Sequence, residues 1–347
     1  MKTSKTRNQT ADILKGLAVI FMIQVHIMEQ FASIEANNSI LGRIFYFLGG
    51  PFCAPVFVAV MGYFLAASRQ PFAFYLKRGL SLFILGILLN IGRSVHLFVT
   101  IFQGKYDLDP LHFVFGADIL TLAGLSIILL AVLQLISKKS LVFYIPLMLV
   151  FAFSGNLINA SIPTESFFLA YLAGNIDHSY FPLFPWFSYV LAGFIFKIIF
   201  DKYQPYFKPF TYIHWVIIGL LSIAILIFSP YPFKISSNLP AYYHHTFNFF
   251  LWVIGFMILY VLFVNFIAKW LKNTIIINFL AWCGKNVTVI YVIQWLLIGN
   301  IATAIYLSQD MFQSEMWFLG ISVFSCIFTF IYLKIRDLIK KRNENLL

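Results

Sequence analysis

Between residues 10 and 335 the chain returns ten times to an apolar stretch about as long as a bilayer is thick, and few folds can absorb that. A helix needs roughly 20 residues to cross the hydrocarbon core. Inside lipid only helices and closed barrels satisfy their own backbone polar groups. Windows of about 19 residues place the stretches at approximately 10–32, 44–67, 75–101, 116–136, 140–157, 181–200, 211–229, 247–268, 275–300 and 315–335. The expected fold is therefore an all-α integral membrane protein of about ten transmembrane helices. Composition agrees: 61% of the 347 residues are hydrophobic and 11% charged, where soluble domains carry about 25% charged residues. No polar break separates the stretches, so residues 1–347 read as a single membrane domain. The 41 phenylalanines suit helix packing and interfacial belts. With no basic groove or polar domain beside them, they do not suit nucleic-acid stacking.

The net charge of +11 is explained by where the charges fall. Lys2, Lys5, Arg7 and Lys15 flank the first stretch, and 20 of the 24 basic residues lie on the same alternate ends of the spans. Arg43, Arg93, Lys105 and Lys234 lie opposite. By the positive-inside rule both termini are expected in the cytoplasm, and a secondary role for the basic residues in holding an anionic cytosolic ligand stays open. The first run lacks a small-residue cleavage site and is expected to remain as the first span. Connections on the other face, at 33–43, 102–115, 158–180, 230–246 and 301–314, are longer and richer in Asn, Asp, Pro and Ser. Such loops more often carry recognition. Cys53, Cys283 and Cys326 are scattered in apolar runs, so neither a disulfide framework nor a metal site is expected.

Ionisable groups at membrane depth are costly and need a reason. The first span, "DILKGLAVIFMIQVHIMEQF", holds four: Asp12, Lys15, His26 and Glu29. Asp12 and Lys15 stand three apart and can pair as a topology anchor. His26 lies eleven residues after Lys15, about 16 Å along a helix and about 20° from it in azimuth. One face thus presents a cation at one end and an imidazole towards the other, with Glu29 a turn beyond to orient the ring. A core histidine bonded to a neighbouring helix is the alternative. At the exit of the third span Asn90, Arg93 and His96 follow at intervals of three, and Asp118 opens the fourth span on the same side. They make either an ion pair that only stabilises or a polar vestibule for an acceptor. His244 and His245 open the eighth span, and adjacent helical residues point about 100° apart, so at most one should face a site. No i, i+4 ligand geometry favours a metal there.

These motifs carry a resemblance. "DILKGLAVIFMIQVH" resembles the first-helix signature of the transmembrane acyltransferases: Asp, two residues, Arg, Gly, then ten residues between the basic position and a His or Asn. "FYLKRGLSLFILGILLN" is similar to their third helix. "GADILTLAGLSIILLAVL" and "FPLFPWFSYVLAGFIFKI" resemble helices of the branch containing heparan-α-glucosaminide N-acetyltransferase and its bacterial relatives, and "LAWCGKNVTVIYVIQWLLI" is similar to a late helix of that branch. The five occur in order from about residue 10 to residue 300.

The resemblance implies a membrane-embedded acyltransferase that moves an acetyl group from cytosolic acetyl-CoA to a hydroxyl or amine of an extracytoplasmic saccharide or glycolipid. No metal is implied. The membrane would be a bacterial plasma membrane, and a homodimer is compatible with such families. His26 would be the general base or a nucleophilic relay, with Glu29 beside it. Lys15, Lys77, Arg78 and Lys285 would hold the phosphates of CoA, and Asn90, Arg93, His96, Asp118, His244 and His245 would face the acceptor. Lys15 stands where the family usually has Arg, which keeps the charge but loses bidentate geometry. Gln294 stands where many relatives have His. A transporter of a sugar or lipid-linked glycan, using the same polar residues, is the alternative reading; the absence of a detectable inverted repeat argues against it.

Overall fold

A computed structural model of the chain describes residues 8–159, 166–173, 178–204 and 211–344. Lys2, Lys5, Arg7 and Lys208 of the charge pattern lie outside the described residues. α1 (Gln9–Gln30) starts at Asn8, whose side chain accepts a hydrogen bond from the Ala11 amide, and carries Asp12 in its first turn, where a carboxylate suits the helix dipole. After the short α2 (Ile34–Asn38), α3 (Ile40–Gly49) breaks at Gly50 and Pro51 and resumes as α4 (Ala54–Ala67). α5 (Phe72–Arg93) and α6 (Val95–Phe102) are divided at Ser94. After α7 (Pro110–Val114), the Asp118 side chain caps α8 (Ile119–Ile136). α9 (Leu141–Asn159) contains Pro146, and the single turn of α10 (Phe167–Ala170) precedes α11 (Leu183–Tyr203). α12 (Tyr212–Ile227) and α13 (Pro230–Ser236) meet at a 54° bend. α14 (Leu239–Tyr243), α15 (Phe247–Trp270), α16 (Ile275–Lys285), α17 (Val287–Ile305) and α18 (Met311–Glu344) complete the chain.

The fold is all-helical, with no strand among the described residues. Eight helical segments are long and apolar enough to cross a membrane, or nine if α12 and α13 form one span, against the ten expected. The difference lies at 140–157 and at 211–229, where the bend divides α12 from α13. Residues 275–300 and 75–101 each keep one full span, Val287–Ile305 and Phe72–Arg93, although the helix breaks at Asn286 and Ser94. The stretch at 140–157 contributes a shorter apolar helix over Leu141–Gly155.

α1 is the axis of the bundle. It packs against α3, α4, α15, α16, α17 and α18, and 78% of its apolar stretch is buried against 17% for α18. Without a hydrophobic drive between helices in lipid, close packing depends on small residues at the crossings. α1 and α16 touch backbone to backbone: a methyl group on Gly16 would overlap Leu280, and one on Gly284 would overlap Asp12. Gly62 and Gly193 do the same for α4 and α11. The outward faces of α12 and α18, with Ile213, Leu220, Phe324 and Phe328, are apolar and exposed, as lipid contact requires. At the far end of α1, Leu307 N donates to Gln30 O (3.2 Å), Gln309 N to Phe31 O (2.9 Å) and Ser33 N to Gln309 O (2.7 Å). These bonds stitch that end to the turn between α17 and α18.

Candidate functional site

The ends of α1 and α5, the start of α8, α14 and one face of α17 from Tyr291 to Thr303 converge on a cavity of about 720 Å3. His26 and Glu29, one turn apart on α1, both line it, as do Arg93 and Asp118. The His26 ring is gripped on two sides. Its Nδ1 lies 3.2 Å from Oε1 and 3.1 Å from Nε2 of Gln294, so the orientation of that amide selects the tautomer. Its face lies against the Trp295 indole, with centroids 4.1 Å apart. Glu29 Oε1 accepts a long hydrogen bond, 3.5 Å, from the Tyr243 hydroxyl. Among the described residues, neither group of the α1 pair meets an opposite charge by direct contact.

The cavity's cation is held differently. The Arg93 guanidinium lies over Trp295, 4.5 Å from the ring centroid, in cation–π geometry. Its Nη1 is 3.4 Å from Asp118 Oδ2. Asp118 is more fully engaged: its Oδ1 and Oδ2 accept from the Tyr291 hydroxyl at 2.8 and 2.9 Å, and Oδ1 accepts from Leu120 N at 2.9 Å. Trp295 therefore touches both the imidazole and the guanidinium, and a chain of contacts joins His26 to Asp118 across α17.

The other candidates lie elsewhere. Asn90 is buried, and its Nδ2 donates to Val114 O (3.1 Å) and Gly116 O (2.9 Å), tying α5 to the connection before α8. His96 does not share a face with Arg93, because the helix breaks at Ser94; it is exposed, and its ring donates from Nδ1 to Asn300 O at 2.9 Å. His245 is buried, with Nδ1 donating to Tyr242 O and Nε2 accepting from the Tyr189 hydroxyl, both at 2.9 Å. Burial holds its imidazole down to about 3, and that of His244 down to about 4. Neither histidine lines the cavity. Lys15 pairs with Asp12 at 3.0 Å, and Lys77, Arg78 and Lys285 are exposed. Among the described residues no group of three His, Cys, Asp or Glu side chains could hold a metal ion.

Sequence reasoning passed over Tyr243, Tyr291 and Trp295. Tyr291 and Trp295 stand four apart on one face of α17, and tyrosine hydroxyls buried in apolar spans need partners; that was the available signal.

Residues 7–227 match the family model for the catalytic part of heparan-alpha-glucosaminide N-acetyltransferase. The chain belongs to that family. It is thus a multi-pass membrane acetyltransferase, using acetyl-CoA as donor and acting on glucosamine-containing saccharides. Family membership decides for an enzyme over the transport reading. The match covers the helices that supply His26, Glu29, Arg93 and Asp118, while Tyr243, Tyr291, Gln294 and Trp295 lie beyond it. No curated protein and no solved structure matches the chain.

Proposed function

We propose that this member of the heparan-alpha-glucosaminide N-acetyltransferase family binds an extracytoplasmic saccharide or glycolipid in the 720 Å3 cavity and acetylates it there, with His26 as general base. The observation that carries this reading is the position of His26 and Glu29 on the cavity wall, the ring gripped by Gln294 and Trp295. With Gln294 Oε1 facing Nδ1, the ring keeps its proton there and leaves the Nε2 lone pair to act as base. The acceptor nitrogen or oxygen attacks the thioester carbonyl carbon. A C–N or C–O bond forms, the carbonyl π pair moves onto oxygen, and the acceptor's proton passes to His26. Collapse breaks the C–S bond, and the CoA sulfur takes that proton. The products are the acetylated saccharide and free CoA thiol. Glu29 orients the acceptor beside the ring.

The donor enters from the opposite face. Lys15 stands on the same helix as His26, about 16 Å along the axis by the helical rise, and the alternation of basic residues supports a cytosolic position for that end and for both termini. Lys15, Lys77, Arg78 and Lys285 are the cations available there for CoA phosphates. A plasma-membrane location belongs to the same proposal.

The reading is tested with protein purified into lipid nanodiscs. Acetyl-CoA and an amino sugar or its oligosaccharide should release free thiol, and His26→Ala should slow that release by about 100-fold or more, the usual range for losing a general base. Full turnover by a folded His26→Ala protein would remove His26 from the mechanism. Accumulation of an acetylated enzyme in the absence of acceptor would replace the base role by a covalent relay.

A further inference from the structure

A second, much smaller recess of about 40 Å3 lies against the large cavity, and His26 and Glu29 line both. Its floor is made by Met22 of α1, by Gly49, Gly50 and Ala54 where α3 breaks into α4, and by Ile119 of α8. Ser236, at the end of α13, supplies the polar atom. The residue is 2% exposed, and among the described residues its Oγ has no hydrogen-bond partner. A buried hydroxyl without a partner is costly, so one beside a reacting histidine points to a ligand atom. The glycine at position 50 leaves room beside that hydroxyl, because a methyl group there would stand 2.8 Å from Ser236 Oγ. The neighbouring polar groups are already engaged. Tyr242 donates to Gly50 O at 3.1 Å, and the Cys53 thiol is turned into Ala18 O and Leu48 O at 3.2 and 3.4 Å.

We propose that this recess seats the acetyl group of the donor, that Ser236 donates a hydrogen bond to its carbonyl oxygen, and that the walls set the length of acyl chain accepted. The inference rests on the reading that His26 is the reacting centre. A single water needs roughly 10–15 Å3 of such space, so the recess holds about three non-hydrogen atoms, the number in an acetyl group. Each further methylene must displace Met22 or Ile119. The saccharide then occupies the large cavity and the acyl group the small one, with the imidazole at their shared wall. When the acceptor attacks, the carbonyl π pair moves onto the oxygen facing Ser236 Oγ, and the C–S bond breaks as the tetrahedral centre collapses.

The first test needs no acceptor. Binding of acetyl-, propionyl- and butyryl-CoA to the full chain in nanodiscs should weaken with each methylene, by about 10-fold or more at the first unaccommodated step. Met22→Ala should raise butyryl-CoA affinity relative to acetyl-CoA by about 10-fold, and Ile119→Ala is the independent second enlargement. Equal binding of the three donors by wild type overturns the assignment, as does an unchanged ratio in a folded enlarged variant. With glucosamine as acceptor, Ser236→Ala should lower kcat about 100-fold, the scale for one oxyanion donor, with acetyl-CoA KM within about 3-fold; an unchanged kcat removes Ser236 from the proposal. Chain-length selection in binding does not depend on His26. An active His26→Ala protein that still discriminates among the donors would therefore overturn the mechanism and leave the recess standing, while an inactive one without discrimination would do the reverse.

Discussion

The two halves of α1 bury ionisable side chains in opposite ways. In the N-terminal half Lys15 and Asp12 answer each other at 3.0 Å, and the helix is pressed backbone to backbone on α16 through Gly16 and Gly284. In the C-terminal half His26 and Glu29 have neutral partners, Gln294 and Tyr243, and face open space. A charge that serves only the fold is best neutralised locally, because an unpaired one at depth costs several kcal/mol. Groups left with neutral partners beside a cavity are held ready for a partner from outside. Under the proposed function, the contrast separates the part of α1 that builds the bundle from the part that works in it.

The largest effect should come from breaking the packed half. Gly284→Leu drives a side chain into the Asp12 backbone and should cost about 3 kcal/mol or more, seen as loss of monodisperse protein on size-exclusion chromatography after extraction. Gly219→Leu, on the outward face of α12 where nothing lies within 4 Å, is the control and should leave yield and profile unchanged. Equal behaviour of the two would mean that the α1–α16 crossing is not a close contact.

Asp118→Asn tests the working half. It removes the counter-charge of Arg93 while keeping the shape, and leaves a guanidinium held by Trp295 alone. Losing a hydrogen bond to a charged group costs about 1.5–3 kcal/mol, so kcat/KM should fall about 10- to 100-fold in folded protein. A fall below 2-fold would make the Arg93–Asp118 pair a structural tie with no part in the cavity's function.

The sequence made some of this legible and hid the rest for definite reasons. Helical character followed from span length, and the four ionisable residues of α1 declared themselves because lipid penalises them. Arg93 and Asp118 were placed on one side by counting spans, and they do meet. His96 was lost because Ser94 ends α5 with backbone angles of φ −105° and ψ 9°, a break that leaves no mark on hydropathy. Tyr291 and Trp295 were overlooked because an aromatic in an apolar span looks like packing until its neighbours are known. The 40 Å3 recess is made of absences, two glycines and an alanine from a break between helices, and no motif encodes an absence.

A smaller effect is expected at the far end of the paired half. Lys15→Gln removes a cation that Asp12 already engages, and a partly screened contact of such a cation with a CoA phosphate is worth about 1 kcal/mol. The KM for acetyl-CoA should therefore rise about 5-fold with kcat little changed. An unaltered KM would leave Lys15 as an anchor of the fold and move the phosphate site to Lys77, Arg78 or Lys285.

The smallest effect concerns His245, which is built like a member of the packed half although it stands on the cavity side. Both ring nitrogens are satisfied in the neutral form, Nδ1–H by Tyr242 O and Nε2 by the Tyr189 hydroxyl, so protonation would lose the second bond and bury a charge. Burial, opposed by the Tyr242 bond and aided by His244, depresses the imidazole from 6.5 to about 3. An unfolded chain takes up a proton at 6.5 that the folded one refuses until about 3. The stabilisation is therefore complete above pH 6.5 and is lost progressively as pH falls towards 3. His245→Gln keeps a hydrogen-bonding amide but removes the titration, so its thermal midpoint should drop less than that of wild type between pH 7.5 and pH 5. A residual drop should remain, because His244 is depressed in the same direction, to about 4. Turnover at pH 7.5 should stay within about 3-fold of wild type, since removing one neutral hydrogen bond outside the cavity costs about 0.5–1.5 kcal/mol of stability and touches no reacting group. A fall in turnover comparable to that of Asp118→Asn, with the midpoint unchanged, would instead join His245 to the working half.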